Sequence, residues 1–358
     1  MALTISQVPD LLDSVRSVPM GIEQTQAYHN YLYLQYFVNE KRRSMSGGSR
    51  CRFDIRVRGN ADNARIAGFY DPTTISIKPL TDAAEFDWKF PEAHCGFTLK
   101  ELNTAGGPEL IFNLIQQRRK ARAEALAELL DGQFWTQEAS TTTDQRILSI
   151  FYHMPMITGA QVTAGSEGFI GGNAVTSAAA EFDDWGGLDR SSNARIKSWA
   201  AKLDNSDGTW TRDDVERIVR YGIEGNLTQP PGMDFNKPES MNLVAFTCVE
   251  RTLGLGRLAD SKNDAVGMDV AKFYGRPVIN GIPVHTVSRW AGHTNTPFAV
   301  VNMSHWVTPT VQYMAESGPF DGGPEQHDLQ VEFIDSQFMT GTDNPQRAGA
   351  MFANVTAA

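Results

Sequence analysis

The stretch from residue 52 to residue 135 limits the possible folds of this chain most strongly. An extended, Arg-studded segment, residues 52 to about 90, runs directly into a proline-started amphipathic helix, residues 108–131. Over residues 53–57, Phe53, Ile55 and Val57 alternate strictly with Asp54, Arg56 and Arg58, the period of a strand with one apolar and one charged face. Residues 59–64, GNADNA, carry turn chemistry, and residues 66–70 and 74–78 are further strand candidates separated by Asp71-Pro72. Together they read as a long, irregular β-hairpin. Two strands alone are marginal in water. The apolar residues here stand singly among charges, so this segment needs a partner surface, and the sequence offers no obvious one within the same subunit.

The helix is marked at both ends. Pro108 occupies the position where a helix accepts proline, and Glu109 favours the positive end of the helix dipole. The apolar stripe expected to face inward is Leu110/Ile111, Leu114/Ile115, Ala121, Ala125/Leu126 and Leu129/Leu130. Asp131-Gly132 reads as the stop. About 24 residues make a rod of roughly 36 Å. Arg118, Arg119, Lys120 and Arg122 form a basic belt midway, read as a solvated face.

The full chain of 358 residues suggests about two domains, and 41% hydrophobic and 21% charged residues is the composition of a globular protein. No segment approaches the roughly 20 apolar residues that span a bilayer. The first residues lack an apolar signal core, so the protein is expected to stay where it is made. The three cysteines, Cys51, Cys95 and Cys248, show no CxxC spacing and suit a reducing cytoplasm. A formal charge of −10 argues against a sequence-specific DNA reader. The charge is uneven, however. Lys41, Arg42, Arg43, Arg50, Arg52, Arg56, Arg58 and Arg65 are opposed within that stretch only by Asp54 and Asp62, while Glu181, Asp183, Asp184 and Asp189 gather elsewhere. Such asymmetry favours contact between different regions of like subunits, although a charge run can equally be a solvated loop.

Other elements follow from local patterns. Residues 24–43 are rich in aromatics (Tyr28, Tyr31, Tyr33, Tyr36, Phe37), which dock either on a neighbouring chain or in the core of this one. Residues 147–157 read as a strand. Residues 211–224 read as a helix with Thr211 and Asp214 as a capping box. Residues 242–247 read as a buried strand and 249–258 as a short helix. Asn280-Gly281 lies between two strand candidates and signals a hairpin. Residues 298–301 and 328–334 read as strands, the latter extended by 337–339, and residues 343–350 as a closing turn.

Catalytic signatures fail on inspection. Gly254, Gly256 and Ala259 fit a dinucleotide fingerprint, but a helical segment stands where the strand is required. Residues 204–214 place Leu203 where a calcium loop needs an acid. The seven histidines show no paired metal-ligand spacing, and neither a nucleophile elbow nor a phosphate loop occurs. No catalytic, cofactor or metal residue is assigned.

The order of segments carries a resemblance. An arm, an extended β-loop, a Pro-started long helix, a mixed region, an α/β region with the NGIPV hairpin at residues 280–284, and a returning strand follow one another. Gly281-Ile-Pro-Val284 followed by FAVVNMSHW at residues 298–306 is the local match. This resembles the major capsid protein of tailed bacteriophages. The resemblance implies an α+β, Hong Kong-97-type capsid fold. Its parts would be an N-terminal arm (1–50), an extended β-hairpin loop (51–92), a peripheral domain with the long helix (93–230), an axial domain (231–318) and a return to the peripheral domain (319–358). It further implies self-assembly of hexamers and pentamers into an icosahedral shell, built in the host cytoplasm and enclosing double-stranded DNA without sequence-specific binding. An arm of about 50 residues, too short to hold a fused scaffold, implies a separate scaffolding protein. A portal and an optional decoration protein complete the implied partners. No cofactor and no membrane are implied, and no cross-linking residues can be mapped. On this expectation the loop bases Arg52, Arg56, Arg58 and Arg65 meet acids such as Asp183 and Asp184 of a neighbouring subunit. A protein nanocompartment of the same fold and a cytoplasmic α/β enzyme with a non-local site are the alternatives.

Overall fold

The computed structural model describes residues 31–56, 81–104, 108–136, 145–157, 168–170, 184–190, 196–203, 212–219, 242–260, 270–273, 276–279, 281–321 and 328–354. A π-helical turn at Leu34–Asn39 leads into strands β1 (Arg42–Ser44), β2 (Cys51–Arg56), β3 (Thr81–Phe86) and β4 (Glu92–Thr98). Helices α1 (Leu99–Thr104), α2 (Pro108–Thr136) and α3 (Ile150–His153) follow, then β5 (Gly168–Ile170), β6 (Asp184–Trp185), β7 (Leu188–Asp189), β8 (Ser198–Lys202) and α4 (Arg212–Arg217). The remainder comprises β9 (Leu243–Thr247), α5 (Val249–Asp260), β10 (Val270–Phe273), β11 (Arg276–Ile279), β12 (Ile282–Thr286), β13 (Phe298–Asn302), β14 (Trp306–Asp321), β15 (Leu329–Phe338), β16 (Gly341–Thr342) and β17 (Gly349–Ala353).

Two sheets organise these elements. One runs β1-β14-β15-β4, with β16 also paired to β14, and carries α2 on one face. The other runs β10-β11-β12-β9-β13-β17-β8-β5. Its centre is apolar on both faces, because β9, β13 and β17 are buried at every residue. Val244, Phe246, Ala299, Val301 and Met351 face a core shared with the C-terminal half of α2. Leu243, Ala245, Phe298, Val300 and Phe352 face the opposite core, shared with α4 and α5. Period-two alternation fixes this register, since a one-residue slip would exchange the two sets. The pairing of Val300 with both Ala245 and Ala350 places small residues beside a larger one.

Several sequence expectations hold in the structure. β2 has Phe53 and Ile55 buried with Arg52 and Asp54 exposed, β9 and α5 stand where expected, and Gly281 adopts φ 81 in the turn between antiparallel β11 and β12. The capping-box residue Thr211, the strand candidates at 66–70 and 74–78, and residues 220–224 lie outside the described residues.

Others are corrected. α2 does not stop at Asp131-Gly132 but continues to Thr136, for 29 residues. Phe134 and Trp135, both 0% exposed, anchor the extra turn, and each fully buried aromatic contributes roughly 1.5–3 kcal/mol, more than glycine in a helix costs. Residues 147–157 are not a strand. Ser149 caps a short helix, accepting from the Tyr152 N–H, and all four residues of α3 are buried. The glycines of the dinucleotide pattern sit inside α5. The closing segment is no mere turn, since β17 enters the middle of the larger sheet. The aromatics of the arm split the earlier choice in favour of this chain's own core, where Tyr33 and Phe37 are completely buried, with Tyr33 stacked 4.3 Å from Phe134. The larger sheet draws strands from both sides of residues 231 and 318. β8 and β5 precede the first and β17 follows the second, and all three share a sheet with β9 to β13.

Candidate inter-subunit surface: the arm base and the long helix

β2 and β3 pair antiparallel, with Phe53 opposite Ala84 and Arg52 opposite Glu85. The alternation seen in the sequence separates their faces. Cys51, Phe53, Ile55, Ala84, Phe86 and Trp88 point into a core completed by Leu148, Tyr152, Trp185, Leu188, Ile196 and Met339. The expectation that the hairpin lacks a partner within its own subunit is therefore corrected for its base. Two hydrophobic faces from distant segments meet there, a pairing that local patterns cannot display. The hairpin β6–β7 fastens under β3. Gly186, at φ 61, approaches so closely that a Cβ would lie 2.8 Å from Phe86, and its carbonyl accepts from the Glu85 N–H at 2.9 Å.

The opposite face is charged and open. Arg50 reaches Asp87 at 3.0 Å and Glu85 at 3.5 Å, and Arg52 donates to Asp54 at 2.9 Å. Such exposed pairs are worth about 0–1 kcal/mol each and leave the surface free to exchange partners. Of the residues expected to meet between subunits, Arg52 lies on this open face, Arg56 ends β2, and Asp184 begins the β6–β7 hairpin at an exposed position. The structure thus brings Asp184 beneath the arm of its own subunit, through the Gly186 contact with β3. Arg58, Arg65 and Asp183 lie outside the described residues.

α2 is held differently. Arg118 remains at the rim, pairing with Glu101 at 2.7 Å and donating to the carbonyl of Gly96, while Lys120 is exposed. Arg119 and Arg122 are buried, which corrects the reading of a solvated basic belt. Arg119 forks onto Glu332 of β15 through Nε (2.8 Å) and Nη2 (2.5 Å). Arg122 lies 3.4 Å from Glu316 and 3.8 Å from Glu332. Burial disfavours the charge on Arg119, but the hydrogen bonds and charge of Glu332 outweigh it and raise its pKa. The acids that draw these arginines inward lie some 200 residues away in the chain, beyond the reach of helical periodicity. Conversely, Leu110 and Leu129 of the expected inward stripe are exposed.

At the other end of α2, Asp131 accepts from the Tyr33 N–H (3.2 Å) and Trp135 Nε1 (2.9 Å), and burial raises its pKa. Arg289 joins this end to the larger sheet, 3.1 Å from Glu128 and 4.0 Å from Asp131. A cavity of 440 Å³ between them is lined by Tyr31, Asp131, Trp135 and Arg289 among others. Of its two lining carboxylates, Asp131 is already engaged by the Tyr33 and Trp135 donors.

His153 is completely buried under the arm base. It accepts from Trp185 Nε1 at Nδ1 (3.3 Å), leaving Nε2–H to donate to the Thr340 carbonyl (3.1 Å). Burial first, and Arg190 second, depress its pKa to about 3, so the ring is a neutral structural bridge. Cys51 is likewise a core residue, its thiol pushed up to about 12 by burial. Among the described residues no group of three or more His, Cys, Asp or Glu side chains could hold a metal ion, and no helix is long and apolar enough to cross a membrane.

No family model and no curated protein matches the chain. Solved structures do. The chain is similar to a chain of the cyanophage A-1(L) capsid asymmetric unit, with 10% identity, a TM-score of 0.52 and coverage of 86% of this chain and 88% of that one. It is similar to the capsid of the native GTA particle at 10% identity and TM-score 0.52, over 90% of each chain. It is also similar to a chain of Gordonia phage Cozz at 12% identity and TM-score 0.50, over 89% and 85%. Likeness at such identity is likeness of fold, and the chain has the Hong Kong-97-type capsid fold.

Proposed function

We propose that this chain is a major capsid protein, a structural and non-enzymatic subunit that assembles with its own copies into an icosahedral shell around the DNA of a tailed phage. The observation that carries this reading is the end-to-end correspondence with capsid chains, spanning nearly nine-tenths of both partners in the comparison. Residues 1–50 serve as the arm, 51–92 as the loop that reaches a neighbour, and the α2-bearing sheet as the peripheral body. The larger sheet, with strands from before 231 and after 318, forms the axial body.

On this reading the open face of the arm sets Arg52, Arg56, Arg58 and Arg65 against acids such as Asp183 and Asp184 of an adjacent copy. Each contact is weak, and repetition over a closed shell supplies the stability. A separate scaffolding protein and a portal, with an optional decoration protein, are the partners on this reading, and assembly takes place in the host cytoplasm. Sedimentation velocity of the purified chain, alone and with its scaffold, tests the reading. Capsomers or megadalton particles support it, and a discrete small oligomer with a turnover activity overturns it. Charge reversal at Arg56 and Arg58 is expected to slow or abolish assembly, and unchanged assembly would remove those residues from the interface.

A further inference from the structure

The buried charges divide the contacts of α2 in two. Toward its N-terminus, Ile111 and Ile115 pack with Cys95, Phe97 and Leu102 in a small satellite core. Toward its C-terminus, Ala123, Leu126, Ala127, Leu130 and Phe134 belong to the main core. Between them lies a polar layer of Arg119 and Arg122 with Glu332 and Glu316.

The apolar residues of α2 recur at steps of four and three along its inner face: 111, 115, then 123, 126, 127, 130 and 134. A helix displaced by one turn, roughly 5 Å, would still set apolar side chains against apolar side chains at most of these positions. Burial is non-directional and discriminates poorly between such placements. The charges discriminate strongly. After a one-turn slip, Arg119 would enter the place of Ile115 or of Ala123, and Glu332 would face an apolar residue. Both would then be buried charges without their partners, and removing one partner of a buried pair is far costlier than replacing both by apolar groups. The bidentate fork of Arg119 on Glu332 adds a directional requirement that a point charge would not.

We infer that the Arg119–Glu332 fork, seconded by Arg122 and Glu316, selects one register of α2 on its sheet from at least two that the apolar contacts would accept. It is a specificity device within the fold, independent of what the folded chain goes on to do.

The test compares register directly. Spin labels on Leu110→Cys (α2) and Arg43→Cys (β1), both at exposed positions, report a distance along the helix in full-length chain diluted with unlabelled protein. The native chain is expected to give one narrow distance. Replacing the layer by Arg119→Met, Arg122→Leu and Glu332→Leu together should leave a folded chain with a second distance displaced by about 5 Å, one helical turn. Glu332→Gln, a milder change, should show the same second distance as a minor fraction. Should the triple variant not fold, the Glu332→Gln distances decide alone. A single native distance in every variant that folds overturns the inference.

Discussion

The arm base and the α2 joint place charge and hydrophobicity in opposite ways. At the arm base the apolar side is inside and the charges lie outside as exposed pairs. In the middle of α2 Arg119 and Arg122 are inside, whereas Leu110 and Leu129, nearer its two ends, face outward. The first arrangement is held by non-directional burial and leaves replaceable charges exposed at the surface. The second is held by directional, buried charge and tolerates little movement. On the proposed function, a shell subunit needs both a surface that can change partners and a body that keeps its shape, and the two regions would divide these requirements.

Removing the anchors should have the largest effects. Phe86→Ala at the arm base, fully buried beside Phe53 and Trp185, is expected to lower unfolding free energy by about 3–5 kcal/mol. Glu332→Leu, which strands Arg119, should cost a similar amount, about 3–5 kcal/mol, whereas Arg119→Met with Glu332→Leu should recover most of it. Chemical denaturation of the four chains tells the mechanisms apart, because a second substitution rescues the charged joint and none of that kind can rescue the cavity left at Phe86.

The two regions should also differ in their response to pH. His153 under the arm base has its pKa depressed to about 3 in the folded chain, below its ordinary value near 6.5. Its contribution is fully present above about pH 6.5 and is lost as pH falls toward 3, by at most about 5 kcal/mol. Asp131 at the end of α2 has its pKa raised by burial, so its contribution is present in acid and is lost as pH rises through the folded value. His153→Gln should flatten the acid limb of stability measured by denaturant midpoint, and Asp131→Asn should change the slope in the opposite sense.

Smaller effects sharpen the contrast. Gly186→Ala forces a left-handed backbone and a Cβ against Phe86, and should cost about 1–3 kcal/mol of stability in a thermal melt. Arg52→Ala breaks only an exposed pair and should change monomer stability by about 0–1 kcal/mol. If Arg52 serves an inter-subunit surface, the same substitution should be visible in assembly yield instead.

The sequence was legible where one element carried its own evidence. The alternation around Phe53, the Asn-Gly turn before Ile282 and the run of buried residues in β9 all require only local periodicity. It failed where distant segments decide the outcome. Arg119 and Arg122 resemble a solvated belt until Glu316 and Glu332 are brought opposite them. β14 went unread because Pro309 and three shifts in its register with β15 disrupt any alternation. β17 is short and rich in small residues, and only its place between β13 and β8 makes it a central strand. Of the proposed contact residues, Arg52 and Asp184 stand at exposed positions.

The most direct measurement is electron microscopy of the protein expressed alone and together with the proposed scaffolding partner. The account predicts closed shells of uniform curvature, in which density continuing from the hairpin base of one subunit crosses onto the next. A monodisperse small oligomer under all conditions would contradict it.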